Sequence, residues 1–222
     1  RGAIVNVEAP LSLKSLISRG HYRFCRRMAW TAAKLLTRVR HYNVPDLSAL
    51  NGGLVIASNH QTYLDPILIG MSWPEPICYL ARRSLLRVPG LSALIRSVGT
   101  HPISRGAVDL EGLRTVLRLL RRGETLLIFP EGTRTHDGTL GRFKPGVAAL
   151  ARRCQAPILP ACVEGAFECW PRSRALPRLG RVAVAFGEPL SPEGQTAAQI
   201  MAGVRRQIEE MKAVLAERLH FE

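Results

Sequence analysis

Lysine is nearly absent from this chain: four of its 31 basic residues are lysine and 27 are arginine, against 17 acidic residues, for a formal charge of +14. Aromatics are scarce at 6%, which leaves little for stacking on unpaired bases. No aromatic-interleaved basic strand and no recognition-helix motif appears either, so nucleic acid is not expected as a partner in spite of the charge. No apolar run reaches the ~18 residues of a transmembrane helix. Any membrane contact is therefore expected from the side. The five cysteines (25, 78, 154, 162 and 169) form no Cys-x-x-Cys pair, and the histidines do not complete zinc-finger spacing, so no structural metal is expected. Scattered in this way they read as small apolar residues in a reducing compartment. There is no internal repeat, no low-complexity tract and no visible signal peptide. The chain opens at Arg1 without an initiator methionine, and an N-terminal piece is expected to precede it.

What is present suits a folded domain. Apolar residues make up 46% of 222 positions, which excludes wholesale disorder and leaves room for one α/β domain of ordinary size. The positive balance calls for an anionic partner: an acidic membrane surface, an acidic carrier or a phosphorylated substrate.

Residues 12–40 stand apart, with eight basic residues and no acid. Leu13, Ile17, Phe24, Met28, Leu35 and Val39 step at helical spacing and fall within an arc of roughly 80° on a helical wheel. Arg19, Arg23, Arg26, Arg27, Lys34, Arg38 and Arg40 take the remaining arc, and Gly20 divides the stretch into two candidate helices. A basic helix with one apolar stripe is the pattern of an interfacial membrane helix; the alternative is a stripe packed on the protein's own domain. The chain accordingly divides into an N-terminal amphipathic element, 1–45, and an α/β domain, 46–222.

From Gly53 the pattern changes. GLVIAS (53–58), ICYLA (77–81), TLLIF (125–129), ILPACV (158–163) and RVAVAF (181–186) read as buried strands. Helical spacing fits Val108–Arg122, Val147–Arg153 and Thr196–Leu219. Strand–helix alternation predicts a central, largely parallel mixed sheet flanked by helices. The Pro/Arg-rich stretch Trp170–Arg181 reads as a mobile surface loop.

Three clusters carry chemistry. Asn59-His60-Gln61-Thr62-Tyr63-Leu64-Asp65-Pro66 follows the first strand of this domain directly, where an open α/β sheet places its site. Asp65-Pro66 has the form of a helix N-cap and first helical residue. A turn at His60 before a helix starting at Asp65 would fold the carboxylate back onto the imidazole and orient it as a general base. No nucleophile is placed beside the pair, so His60 would activate the substrate's own hydroxyl. Phe129-Pro130-Glu131-Gly132-Thr133-Arg134 follows another buried strand. There Gly132 permits close backbone approach, Thr133 offers a hydroxyl and Arg134 a fork suited to phosphate. Glu131 would orient an arginine or cap the following turn. In Gly99-Thr100-His101-Pro102-Ile103-Ser104-Arg105-Gly106, Arg105 sits between a short extended piece and a helix.

In order and spacing these clusters resemble the glycerolipid acyltransferase family. Its four blocks are Asn-His-x4-Asp, a Gly-x-Ile-Phe-Ile-Asp-Arg-like block, Phe-Pro-Glu-Gly-Thr-Arg-Ser, and a hydrophobic-Pro block. The first matches at Asn59–Asp65, the third at Phe129–Arg134, and Ala156-Pro157-Ile158-Leu159-Pro160 is similar to the fourth. The second keeps Gly99, Ile103 and Arg105 but carries Pro102 and Ser104 where the family has an aromatic and an acid.

The resemblance implies transfer of a fatty acyl group from acyl-CoA or an acyl carrier protein to the sn-2 hydroxyl of 1-acyl-sn-glycerol-3-phosphate. His60 and Asp65 would be the general-base pair. Arg105, Glu131, Gly132, Thr133, Arg134 and Lys144 of Phe143-Lys144-Pro145-Gly146 would hold the acceptor phosphate. No metal or cofactor is implied beyond the acyl co-substrate. The implied setting is an anionic membrane surface, with the protein peripheral or monotopic on the cytoplasmic face of the cell membrane. The loose second block leaves another lysophospholipid, or a lyso-ornithine lipid, as an alternative acceptor. A membrane-binding scaffold without activity is the non-enzymatic alternative.

Overall fold

Every residue of LVIAS (54–58) is buried, as a strand covered on both faces requires, and its neighbours assemble around it for the same reason. The computed structural model describes residues 24, 27, 28, 31, 34, 35, 37–46, 52–73, 76–82, 100–103, 110–174 and 176–221. In chain order the elements are β1 (Thr37–Tyr42), β2 (Leu54–Ser58), α1 (Asp65–Ser72), β3 (Ile77–Arg82), β4 (Thr100–Ile103), α2 (Leu110–Arg121), β5 (Thr125–Ile128), α3 (Gly146–Cys154), β6 (Ile158–Glu164), α4 (Ala166–Cys169), β7 (Gly180–Phe186) and α5 (Ala197–Phe221). The strands form one sheet in the order β1-β7-β6-β2-β5-β3-β4. The pairs from β6 through β4 are parallel; β7 runs antiparallel to β6, and β1 is parallel to β7.

Side chains alternate across this sheet at period two. On one face Val55, Ala57, Leu126, Ile158, Cys162 and Ala183 meet α2, α3 and α5. The apolar seam of α5 is Ile200, Val204, Ile208 and Leu215, one residue per turn or two. On the other face Leu54, Ile56, Leu127, Leu159 and Val184 meet α1, Trp73 and the short α4. After β2 the chain passes through α1 to β3. It returns through α2 to β5, which lies between β2 and β3, and then crosses to β6 on the far side of β2. The direction of winding therefore reverses around β2, which opens a crevice at the C-terminal ends of β2, β5 and β6. The turn from β6 into α4 needs Gly165: its φ is +80°, and a Cβ there would stand 2.3 Å from the Arg181 carbonyl oxygen.

The five apolar runs form strands and the three predicted helices form, with ends shifted by a few residues. Two strands depart from the sequence reading. Residues 37–42 pair with β7 over six residues, so Arg38, Val39 and Arg40 belong to a strand and not to the basic helix. The sheet thus begins ahead of residue 46. Val39 falls in step with the helical stripe by coincidence of spacing, while the alternation of Arg38, Val39, Arg40 and His41 is the period of a strand. The extended piece ahead of Arg105 is β4, at the edge of the sheet, where Pro102 sacrifices no central hydrogen bond. The described residues of the N-terminal segment, Phe24, Arg27, Met28, Thr31, Lys34 and Leu35, are helical. Three members of the predicted stripe, Phe24, Met28 and Leu35, are 63%, 57% and 73% exposed, so these side chains do not pack on the domain. Of the other stripe residues, Val39 lies in β1, and Leu13 and Ile17 lie outside the described residues. Cys78, Cys154, Cys162 and Cys169 are free thiols. Burial, with Glu124 nearby, pushes the Cys78 thiol up to about 12, and burial raises Cys162 and Cys169 as well, as expected of apolar filler.

Leu126 is fully buried at the centre of the sheet, whereas Leu113 on α2 is 38% exposed. Leu126→Ala should lower unfolding free energy by about 2–5 kcal/mol. Leu113→Ala should stay within about 0.5 kcal/mol. Denaturant midpoints at constant m-value check both.

Candidate active site

Strand β2 ends at Ser58, and Asn59 prolongs its pairing with side-chain atoms. Asn59 Nδ2 donates to the Val163 carbonyl at 2.8 Å, and its Oδ1 accepts from the Val163 N–H at 2.8 Å. The next residues turn sharply around one carboxylate. Asp65 Oδ2 accepts from the Gln61 N–H at 2.6 Å, the Thr62 N–H at 2.8 Å and His60 Nδ1 at 2.8 Å; Oδ1 accepts from the Thr62 hydroxyl at 2.9 Å. The sequence reading had Asp65 as the N-cap of α1. It is instead the first helical residue, after Leu64, and its carboxylate serves the preceding turn.

The imidazole of His60 is held on every side but one. Its Nδ1 proton goes to Asp65, the tautomer that this carboxylate selects. Its ring stacks on Phe129 at 3.9 Å and 13°. Its backbone N–H donates to Glu131 Oε1 at 2.9 Å and its carbonyl accepts from the Thr135 N–H at 2.8 Å. The side chain of Asp65 is fully buried while that of His60 is 18% exposed. Nε2 therefore keeps a lone pair at the surface of the crevice, in the position of a proton acceptor.

The block after β5 serves partly as support and partly as binding surface. Glu131 Oε1 holds the His60 N–H, and Oε2 accepts from the Gly141 N–H at 2.9 Å. Burial raises the Glu131 carboxyl above the ordinary glutamate range, against the pull of these two N–H donors. A buried carboxylate with both oxygens committed to backbone amides has no capacity for a phosphate. Glu131 thus leaves the predicted phosphate set and becomes the tie between the two blocks. Gly132 has φ +69°, and a Cβ there would lie 2.7 Å from the Lys144 ammonium. Lys144 is anchored by its N–H to the Pro130 carbonyl at 3.0 Å. Gly132, Thr133 and Lys144 are exposed. The Arg134 guanidinium lies 3.6 Å above the ring of Tyr63, a stacked arrangement that leaves its edge N–H groups for an anion. Gly132, Thr133, Arg134 and Lys144 thus share one rim beside His60. Arg105 lies outside the described residues.

Several neighbours carried no signal of their own in the sequence. Tyr63 and Phe129 sit inside the two blocks and position Arg134 and His60. Arg172 donates to the Arg134 carbonyl at 3.2 Å and to His136 Nε2 at 2.8 Å. Behind the turn, Gln61 Nε2 donates to Glu164 Oε2 at 3.1 Å while its Oε1 accepts from the Phe167 N–H at 3.0 Å. Glu164 is paired with Lys212 of α5 at 2.5 Å. Burial raises the Glu164 carboxyl, and the Lys212 ammonium opposes that rise. Among the described residues no three His, Cys, Asp or Glu side chains converge as metal ligands. Nor is any helix there long and apolar enough to cross a membrane.

The site is thus a buried turn that presents a carboxylate-held imidazole beside a cationic rim. The acyltransferase family model matches residues 36–164, more than half of the chain. A 1-acyl-sn-glycerol-3-phosphate acyltransferase of Bacillus subtilis is 30% identical over 171 residues, covering 76% of this chain and 82% of that protein. One of the same name from Pseudomonas aeruginosa is 28% identical over 191 residues, covering 80% and 71% respectively. The crystal structure of the 1-acyl-sn-glycerophosphate acyltransferase PlsC from Thermotoga maritima matches with a TM-score of 0.72 at 26% identity, over 86% of this chain and 79% of that one. The chain belongs to the acyltransferase family. It is an O-acyltransferase.

Because the Glu131 carboxyl is raised from 4.5 in the fold, the native state holds a proton that the unfolded chain has released. Its contribution to stability therefore falls as pH rises from about 4.5 through the raised value. Glu131→Gln cannot titrate and should show a flatter decline over that window; denaturant midpoints of both proteins as a function of pH read this directly.

Proposed function

We propose that the chain transfers a fatty acyl group from acyl-CoA or an acyl carrier protein to the sn-2 hydroxyl of 1-acyl-sn-glycerol-3-phosphate, giving phosphatidic acid for phospholipid synthesis. The observation that carries this reading is the 2.8 Å contact of His60 Nδ1 with the enclosed Asp65 carboxylate, which leaves Nε2 as the free base. His60 Nε2 takes the proton of the acceptor hydroxyl as its oxygen attacks the thioester carbonyl carbon. The C–S bond then breaks, and the thiolate leaves with the proton returned by the imidazolium. Asp65 holds the imidazole in one tautomer and stabilises the charged form that appears midway. No covalent acyl-enzyme, metal or cofactor takes part in this scheme. Backbone donors near the site hold the oxyanion.

Arg134 and Lys144, with Thr133 and the open backbone at Gly132, grip the acceptor phosphate and set the distance of its hydroxyl from His60. Arg105 belongs to the same proposal on the strength of its sequence block. The acceptor is a membrane lipid, so the protein works as a peripheral or monotopic enzyme on the cytoplasmic face of the cell membrane. The exposed Phe24, Met28 and Leu35 of the basic N-terminal segment favour that placement.

His60→Ala should cut turnover about 100- to 10,000-fold while acceptor binding persists; wild-type turnover would overturn the mechanism. Arg134→Ala should raise the acceptor KM about tenfold with a smaller effect on kcat. Labelled acyl-CoA and acyl carrier protein, offered with 1-acyl-sn-glycerol-3-phosphate, other lysophospholipids and a lyso-ornithine lipid, measure both variants. A preference for an acceptor without a phosphate would reassign the cationic rim.

A further inference from the structure

The loop between α4 and β7 has no part in the chemistry proposed above, yet it carries the two most exposed large apolar side chains of the described residues. Leu176 is 77% and Leu179 is 75% exposed. Arg172, Arg174 and Arg178 of the loop and Arg181 at the start of β7 flank them, and no acidic residue occurs between Glu168 and Glu188. The loop is braced. The Arg174 N–H donates to the Pro171 carbonyl at 3.0 Å and Trp170 Nε1 to the Arg174 carbonyl at 3.1 Å. The Arg178 N–H donates to the Cys169 carbonyl at 2.8 Å, and Arg178 Nε to the Glu168 carbonyl at 2.6 Å. With residues 174 and 178 tied down, Leu176 is held outward between them.

Two contacts place this loop relative to the rest of the molecule. At its start, Trp170 meets the edge of Tyr63 at 5.8 Å, and Tyr63 underlies Arg134 of the cationic rim. At its end, Leu179 and Arg181 line a surface depression opposite Leu35 and Arg38. Leu35 of the exposed N-terminal stripe and the end of the loop therefore border the same hollow, while the start of the loop, at Trp170, meets Tyr63 beside the cationic rim. Exposed leucines among arginines, continued onto a second element of the same character, match an anionic bilayer. Its head groups pair with guanidinium groups while leucine enters the acyl boundary. An acidic carrier protein would match the arginines but would leave the apolar stripe of the N-terminal segment uncovered.

We infer that the loop 170–181 is a second membrane contact, docking on anionic lipid and seating the mouth of the His60 site against the bilayer. This deepens the acyl-transfer reading, on which its purpose rests, but the contact itself can be measured without any acyl group.

The full chain and its Leu176→Ser/Leu179→Ser double variant are floated with vesicles of phosphatidylcholine, with and without phosphatidylglycerol. The double variant should partition about tenfold more weakly into the anionic vesicles, and Arg174→Glu about fivefold more weakly, with the difference shrinking at high salt. Leu176→Trp should gain fluorescence that brominated acyl chains quench, a signal that does not depend on loss of function. Equal partition of wild type and double variant, or a tryptophan at 176 that brominated lipid leaves unquenched, would overturn the inference. So would undiminished vesicle binding combined with loss of transfer only from an acyl carrier protein, which would assign the loop to the donor. Vesicle contact by a chain inactive on every acceptor would sustain the loop's role and remove the acyl-transfer reading.

Discussion

Asp65 presents a carboxylate that is wholly enclosed and takes four hydrogen bonds from residues 60–62. An enclosed carboxylate with no donors would cost several kcal/mol, and this one recovers that cost only if the chain wraps around it in one way. The wrapping is the site. It turns the chain by the few residues between β2 and α1, fixes the tautomer of His60 and brings the ring flat against Phe129. Glu131 does the same from the other side, taking one amide from each of two loops, so each block is held by a carboxylate of its own or of its neighbour. Side chains locked in this manner are held in one geometry by the fold itself.

The surplus of arginine resolves into regions with different surroundings. Arg134 is stacked on Tyr63 and half-buried, where its charge is screened by less water. The arginines of the 170–181 loop, and Arg27 of the N-terminal segment, stand in solvent, where single pairs are worth little and only an extended anionic surface gathers them into a useful sum. Preference for arginine over lysine fits both settings, because the guanidinium group tolerates an aromatic face or an interface better than ammonium does.

The central sheet was legible in the sequence because its strands are continuous apolar runs and its helices have regular seams. The turn at His60–Asp65 was legible from the punctuation of a strand, an Asp-Pro pair and the five-residue gap. Strand β1 was not, since its alternation of arginine with smaller residues coincides with the tail of a helical pattern and shows itself only when β7 is beside it. Glu131 was legible as a carboxylate that orients an arginine or caps a turn, but not as the tie between two separate loops. Its actual partners, the amides of residues 60 and 141, are brought together by the fold and not by spacing. Gln61, Glu164 and Lys212 were invisible for the same reason: they are far apart in the chain and meet only after β6 and α5 have docked.

That last meeting has a consequence for the order of events in the life of the molecule. The residue behind the catalytic turn receives its supporting ion pair from position 212 of a 222-residue chain. Until α5 packs, Glu164 lacks its counterion and the turn lacks its last brace. Docking of α5 thus completes one face of the core and the backing of the turn in a single step.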